Sequence, residues 1–252
     1  MATDPSRTHQ ENQESHGVYF NADLMGNPSD NYICWLDVMG SKNHISQSLK
    51  TSANFIFKLH ASILSAFAGL NNVEKDDIII YPVMDGAFIS GKSRSALEKL
   101  LRHCMRLLAD TFLSEVNQEH KFVVRGAIAF GRVFHGRGID DNANVIFRDY
   151  PEIKKSILLG LPMVLAFEAE STAPPFGIAI DRSARSSSPA GTEPYNFSWW
   201  KWFYGDRTFN VMDFRAGLEA HYIWHEGHHY FTGYSPDRIK VHKGMSIQYF
   251  ET

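Results

Sequence analysis

The chain has 252 residues, enough for one large domain or a domain with an extension. At 44% hydrophobic and 13% aromatic it can bury a sizeable core, which excludes wholesale disorder. Lys and Arg number 25 against 28 Asp and Glu, a formal charge of −3, and a duplex nucleic-acid binder would need a basic face. No nucleic-acid partner is expected. Cys34 and Cys104 are the only cysteines, too few for a disulfide scaffold or a Cys-rich zinc site, so a reducing, cytoplasmic setting is expected. The longest apolar run, Ile157 to Phe167, is broken by Gly160 and Pro162 and falls short of the ~20 residues of a membrane span. No membrane partner is expected either. Residues 1–17 are polar throughout and read as a disordered tail.

Asn31 to Asp37 is a short run of strand formers that ends in Val38-Met39-Gly40-Ser41-Lys42, a tight strand-to-helix turn. Phe55, Ile56, Leu59, Ile63, Phe67 and Leu70 recur at helical spacing, which predicts a helix over about Ser46 to Leu70. Asp77 to Val83 and Ala87 to Ser90 read as a hairpin turning at Met84-Asp85-Gly86, because Asp-Gly tolerates positive φ. Ser95 and Glu98 have the spacing of a capping box. Behind them Leu97, Leu100, Leu101, Cys104, Leu107, Leu108 and Phe112 form one apolar stripe. Phe122 to Phe130 is a strand that Arg132 to His135 can extend, and a second helix begins near Gly160-Leu161-Pro162. Pro175 to Ile180 reads as a further strand, Arg182 to Asn196 as a mobile surface loop, and the rest as an aromatic-dense extension. The order β-α-β-β-α-β predicts an α/β (α+β) ferredoxin-like sheet with added C-terminal elements. Long helices would cover one face and leave the other free for a ligand or partner.

Asp37 ends the first strand and Asp85 sits in the hairpin turn, and these strands are neighbours in such a sheet. Two converging carboxylates suit hard divalent cations such as Mg²⁺ or Mn²⁺. The turn through Met39, Gly40 and Ser41 offers backbone N–H groups near a helix N-terminus, where phosphate oxygens bind well. Asp at a strand end or in a turn also serves the local backbone, so a purely structural reading stands beside this one. On the strand from Phe122 the large residues share one parity and Arg125 the other, together with Ala127 and Ala129. The alanines leave room beside the guanidinium for a phosphate; an arginine solvated on an exposed sheet face, or salt-bridged across a dimer contact, is the alternative.

The segments WLDVMGSK, VMDGAFISG, VVRGAIAFGRVFHG and GLPMVLAFEAE resemble, in order and spacing, the catalytic domains of class III nucleotide cyclases. The resemblance runs over roughly Tyr32 to Asp181 and implies a catalytic domain at 18–181, with 182–252 an extension packed on it. It implies two metal ions per site, Mn²⁺ or Mg²⁺, on Asp37, Asp85 and the carbonyl of Val38. It also implies a nucleoside triphosphate bound by Met39, Gly40, Ser41 and Arg125, with Asp37, Asp85 and Arg125 catalytic, and a head-to-tail homodimer with interfacial sites. Met84-Asp85-Gly86 in the hairpin, and Gly160, Ala166 and Glu168 on the late helix, are similar to the pyrimidine cyclases of bacterial antiphage (Pycsar) signalling. That branch implies UTP, with CTP second, as the substrate for a cyclic second messenger. Typical cyclases carry a transition-state Asn and Arg where this chain has Val164 and Glu168, so a degenerate, non-catalytic nucleotide- or partner-binding module is the competing reading. Trp35 shares the parity of Asp37 and would narrow a base pocket.

His225-Glu226-Gly227-His228-His229 satisfies the zinc-protease pattern H-E-x-x-H through His225, Glu226 and His229. Gly227 and the following Tyr230-Phe231-Thr232-Gly233-Tyr234, which reads as strand and turn, argue against the required helix. Trp199, Trp200 and Trp202 lack the basic surroundings of a base-stacking platform and read as a core or dimer cluster.

Overall fold

The computed structural model describes residues 21–41, 45–46, 48–187, 198–232 and 234–251; the polar tail expected at 1–17 lies outside them. The chain divides into a larger unit, Asn31–Gly131 with Pro162–Thr252, and a smaller one in which Arg132–Leu161 joins the residues before Asn31. The first half of the chain contributes β1 (Ser29–Val38), α1 (Leu49–Ala68), α2 (Asn72–Asp76), β2 (Ile78–Val83), β3 (Gly86–Gly91) and α3 (Arg94–Ser114). Next come β4 (Val124–His135), α4 (Val145–Asp149), α5 (Pro151–Lys155), β5 (Leu158–Leu159) and α6 (Leu161–Glu170). The chain continues with β6 (Ile178–Ile180), α7 (Arg182–Ser187), β7 (Trp199–Trp200), α8 (Val211–Thr232) and α9 (Pro236–Phe250).

The sheet order β2-β3-β1-β4 is that of the expected βαββαβ arrangement, and β6 and β7 extend it beyond β4. β1 pairs antiparallel with β3, with Asp37 opposite Gly86; β4 pairs parallel with β6. Both α1 and α3 lie on one face. Phe55, Leu59 and Ile63 of α1 and Leu97, Leu101, Cys104 and Phe112 of α3 bury with Cys34, Leu36 and Val38 of β1. Buried apolar groups on this scale are the main stabilising term of a domain.

Helix α3 starts two residues earlier than the capping box predicts. Ser93 is the N-cap and accepts from the Ala96 N–H, while Glu98 pairs with Arg94 at 3.6 Å. Ser93 and Ser95 are interchangeable in chemistry, so the sequence alone leaves the choice to the exit of β3. Three other expectations are corrected. The Arg182–Asn196 loop opens as helix α7, and its later part, 188–197, lies outside the described residues. The strand expected from Pro175 is only Ile178–Ile180. The chain from Tyr230 to Tyr234 is not strand and turn: α8 runs to Thr232, with a non-helical φ/ψ at His228, and α9 follows.

The C-terminal helices pack on the larger unit through an aromatic chain. Phe112 and Phe176 lie 5.3 Å apart between centroids, Phe176 and Phe214 4.9 Å, and Phe214 and Phe250 5.4 Å. Arg106 of α3 bonds Asp206 at 2.9 Å and lies over Phe209. Trp200 and Trp202 are core residues here; Trp202 donates its indole N–H to the Phe176 carbonyl at 2.7 Å. In the smaller unit, Phe134 and His135 of β4 pair with β5, and Lys154 bonds Asp141 and the Ile139 carbonyl.

The second face of the sheet is not free. Helix α6 covers part of it: Phe167 meets Trp35, and Ala169 and Ala173 pack on Ala127 and Ala179. Val164 and Phe167 nevertheless stay largely exposed, while Pro162, Ala166 and Glu170 bury. Among the described residues no helix is long and apolar enough to cross a membrane.

Candidate active site

Three carboxylates and one guanidinium meet at one end of the sheet. Asp37 is the penultimate residue of β1, Asp85 lies in the two-residue turn between β2 and β3, Arg125 is on β4 and Glu170 closes α6. The turn takes its positive φ at Met84 (51°), not at Gly86. Gly86 is required for a different reason: a Cβ there would stand 2.5 Å from the Trp35 ring and 2.7 Å from the Leu36 carbonyl oxygen. That close approach brings the hairpin turn and its Asp85 against the end of β1.

Asp37 is the most perturbed acid of the group. Its Oδ1 is buried and has no hydrogen-bond partner among the described residues. Burial first, then the charges of Asp85 and Glu170, push its carboxyl up from 3.8 to about 7, against the smaller opposing pulls of the Val38 backbone and Arg125. Glu170 is also raised by burial, with Arg125 opposing. A buried carboxylate oxygen with no hydrogen bond, beside a second carboxylate, is a set of hard oxygen donors of the kind that fits Mg²⁺ or Mn²⁺. Asp37, Asp85 and the Val38 carbonyl are the groups that would hold it. No cluster of three or more His, Cys, Asp and Glu side chains is arranged for a metal ion among the described residues.

The Arg125 side chain lies on the second face, as its strand parity predicts, but the space on its alanine side is filled by protein. Its Nε and Nη2 bond the two oxygens of Glu170, the second at 3.2 Å, and Nη1 reaches the Ser171 carbonyl at 3.4 Å. Ala169 and Ala173 occupy the gap that Ala127 leaves. The expected phosphate room next to the alanines is therefore corrected: Arg125 is salt-bridged, and Glu170 fixes it. Sequence reasoning missed Glu170, although two acids stand at the end of that helix; Glu168, the one it weighed, points outward and is exposed, as is Val164.

After β1 the Met39 N–H donates to the Val123 carbonyl at 2.8 Å, and Gly40 turns the chain with φ +75°. Met39 and Gly40 form one wall of a cavity of about 230 Å³, with Lys121, Arg125, Arg238 and His242 among its other walls. Ser41 does not belong to that lining. Trp35, expected beside the base, is instead buried between Phe88 at 4.5 Å and Phe167 at 5.8 Å. The H-E-x-x-H residues lie in α8 after all, yet the helix is interrupted at His228 between the two histidines: His225 is buried, His229 is half-buried with Nδ1 against the Glu226 carbonyl, and Glu226 pairs with Lys243. Two ligands facing different surroundings do not make a zinc site.

Solved structures of similar fold exist. A bacterial light-regulated adenylyl cyclase superposes with a TM-score of 0.50 at 11% identity, over 74% of this chain and 56% of that one. The monomeric guanylyl cyclase domain of the RhoGC fusion protein from the aquatic fungus Blastocladiella emersonii gives 0.45 at 13% identity, over 63% of this chain and 84% of that one. No protein-family model matches the chain, and no curated protein does. The fold is that of class III nucleotide cyclase domains.

Proposed function

We propose that this chain is a nucleotide cyclase, converting a nucleoside triphosphate to its 3′,5′-cyclic monophosphate and pyrophosphate. The observation that carries the reading is the buried, unbonded Oδ1 of Asp37 beside Asp85 on a cyclase fold. The 3′-oxygen would bond to the α-phosphorus as the bridging bond to the β-phosphate breaks, releasing pyrophosphate and the hydroxyl proton. Divalent ions held by Asp37, Asp85 and the Val38 carbonyl would supply Lewis acidity toward the hydroxyl and countercharge for the triphosphate. The chain itself contributes position. The Met39-Gly40 turn presents backbone beside the cavity, and Glu170 holds the Arg125 guanidinium at a fixed orientation, so little ordering is left to the reaction step.

Within this reading the substrate is a pyrimidine nucleotide, UTP ahead of CTP. What supports it is the branch resemblance of Met84-Asp85-Gly86 and of Gly160, Ala166 and Glu168. The branch resemblance also supports a second messenger in antiphage defence, the wider cyclase resemblance a homodimer with Mn²⁺ or Mg²⁺ at two positions per site, and the two cysteines a cytoplasmic setting. The domain limits 18–181 and 182–252 belong to the same proposal.

The test is incubation of the chain with ATP, GTP, CTP and UTP separately, with Mn²⁺ or Mg²⁺, and mass spectrometry of the products. Asp37→Asn is the control. A cyclic pyrimidine from the wild type alone supports the full reading; a cyclic purine keeps the cyclase and refutes the branch. Tight nucleotide binding with no product would make the chain a degenerate binding module, consistent with Val164 and Glu168 in place of Asn and Arg.

A further inference from the structure

The cavity beside the Met39-Gly40 turn is walled on its other side by the C-terminal helices, a region that no motif in the sequence explains. Its cationic groups are short of partners. Lys121 is only 8% exposed, and its ammonium lies 4.6 Å from the centroid of Phe112. The acid whose charge it feels is Glu115, and that carboxylate is already bonded by Lys58 at 3.3 Å. A buried ammonium without its own anion is costly to hold. Arg238, in the first turn of α9, forms no ion pair with any described residue. Its charge and that of Arg125 both act on Tyr234 and on His242, so the two guanidiniums converge on this wall.

Tyr234 and His242, also on this wall, add no negative charge to offset the cations. The Tyr234 hydroxyl bonds Nδ1 of His242, and burial with the two nearby guanidiniums lowers the His242 pKa to about 4. His242 is therefore neutral at pH 7, and its Nδ1 shares a hydrogen bond with the phenol. Among the described residues no acid lines the cavity, and Glu170, which lies behind Arg125, is bonded on both oxygens by that guanidinium. At about 230 Å³ the space can take a phosphate chain.

We propose that the C-terminal helix pair carries a polyphosphate subsite, in which Lys121 and Arg238 bond the oxygens of a phosphate chain laid against the Met39-Gly40 turn. That the chain is the β- and γ-phosphates of a nucleotide rests on the cyclase reading; that the cavity takes polyphosphate does not. Arg238 lies in the extension and outside the segments that resemble cyclases, so on this account the extension contributes directly to the site.

Calorimetric titration of the full chain with inorganic tripolyphosphate, in EDTA, tests it. Wild type is expected to bind, and Arg238→Gln and Lys121→Gln each to weaken binding by roughly ten- to hundred-fold, with Arg238→Lys recovering part of the loss. Arg207→Gln, an exposed arginine elsewhere, is expected to leave binding unchanged. No binding by wild type, or equal binding by Arg238→Gln, or an equal loss in Arg207→Gln, overturns the subsite. Arg238 is exposed, so its variants should fold even if Lys121→Gln does not. The cyclase assay separates the two claims. Cyclic product with a triphosphate KM unchanged in Arg238→Gln refutes the assignment of the subsite to the nucleotide's β- and γ-phosphates and keeps the cyclase. Arg238-dependent tripolyphosphate binding with no cyclic product keeps the subsite and refutes the cyclase.

Discussion

Replacing Asp37 by Asn should stabilise the chain in the absence of divalent metal, and only above acidic pH. In the folded state the Asp37 carboxyl titrates at about 7, mainly because it is buried and faces Asp85, against 3.8 when solvated. Between those two pH values the native state binds more protons than the unfolded state, so stability falls as pH rises through the window and levels off above it. The displacement corresponds to about 4 kcal/mol at ~1.4 kcal/mol per pH unit. An Asn removes the charge but keeps an amide to be satisfied, at a cost of about 1–2 kcal/mol. The net expectation in EDTA is a gain of about 2–3 kcal/mol at pH 8, or roughly 4–12 °C in Tm for a chain of this size, and no gain or a small loss at pH 4.

The metal arm has the opposite sign. Mn²⁺ at a hundred times its dissociation constant should return about 2.7 kcal/mol to the wild type at pH 8, because it binds the folded state alone, and should do nothing for Asp37→Asn. Cyclase activity should vanish in the same variant that gains stability. Thermal unfolding of both proteins at pH 4 and pH 8, with EDTA or Mn²⁺, reads all four quantities. The reasoning is refuted if Asp37→Asn is destabilised at pH 8 in EDTA, or if its effect is the same at both pH values. Either result would mean that Asp37 is a satisfied structural residue and not a carboxylate held for a cation.

The ion pair of Arg125 with Glu170 should show strong coupling: Arg125→Ala alone is expected to cost about 3–5 kcal/mol by stranding a buried carboxylate, and Arg125→Ala with Glu170→Ala markedly less, as read by urea unfolding. Phe214→Ala, at the junction of Phe176 and Phe250, should lose about 3–5 kcal/mol in the same assay; a loss under 1 kcal/mol would show that the C-terminal helices are not docked through it. Gly86→Ala should cost about 1–3 kcal/mol through its collision with Trp35, whereas Gly244→Ala, with nothing within 4 Å on helix α9, should gain about 0.4–1 kcal/mol in thermal unfolding.

What the sequence declares is what local periodicity controls. The alternation along β1 and β4 places Asp37 and Arg125 on one face, and the stripe from Leu97 to Phe112 marks α3, because each pattern is written within a single element. Glu170 is invisible to that kind of reading, since its partner is 45 positions away and the pair exists only once a helix end meets a strand. Helix α6 misleads for a related reason. Its large residues Val164 and Phe167 are the exposed ones, and the contact with the sheet is made through alanines and an acid, so apolar bulk points to the wrong face. In α8 the spacing of Phe214, Leu218 and Tyr222 is helical, but aromatic density and Gly227 argue locally for strand, and the contacts of Phe214 with Phe176 and Phe250 support the helix.

The same limit explains the cavity. Lys121 comes from a loop and Arg238 and His242, one turn apart, from the last helix, and no spacing joins that loop to that turn; only the cavity they share and the absence of acids from its lining among the described residues single them out. The strand end at Asp37, the hairpin turn at Asp85 and the Met39-Gly40 turn are each written locally, while the cations proposed to meet a phosphate chain are assembled by tertiary packing. If the Arg238 and Lys121 substitutions weaken tripolyphosphate binding while Asp37→Asn leaves it intact in EDTA, the two halves of the site are physically separable. The extension would then be a binding element and not only a cover for the α3 face.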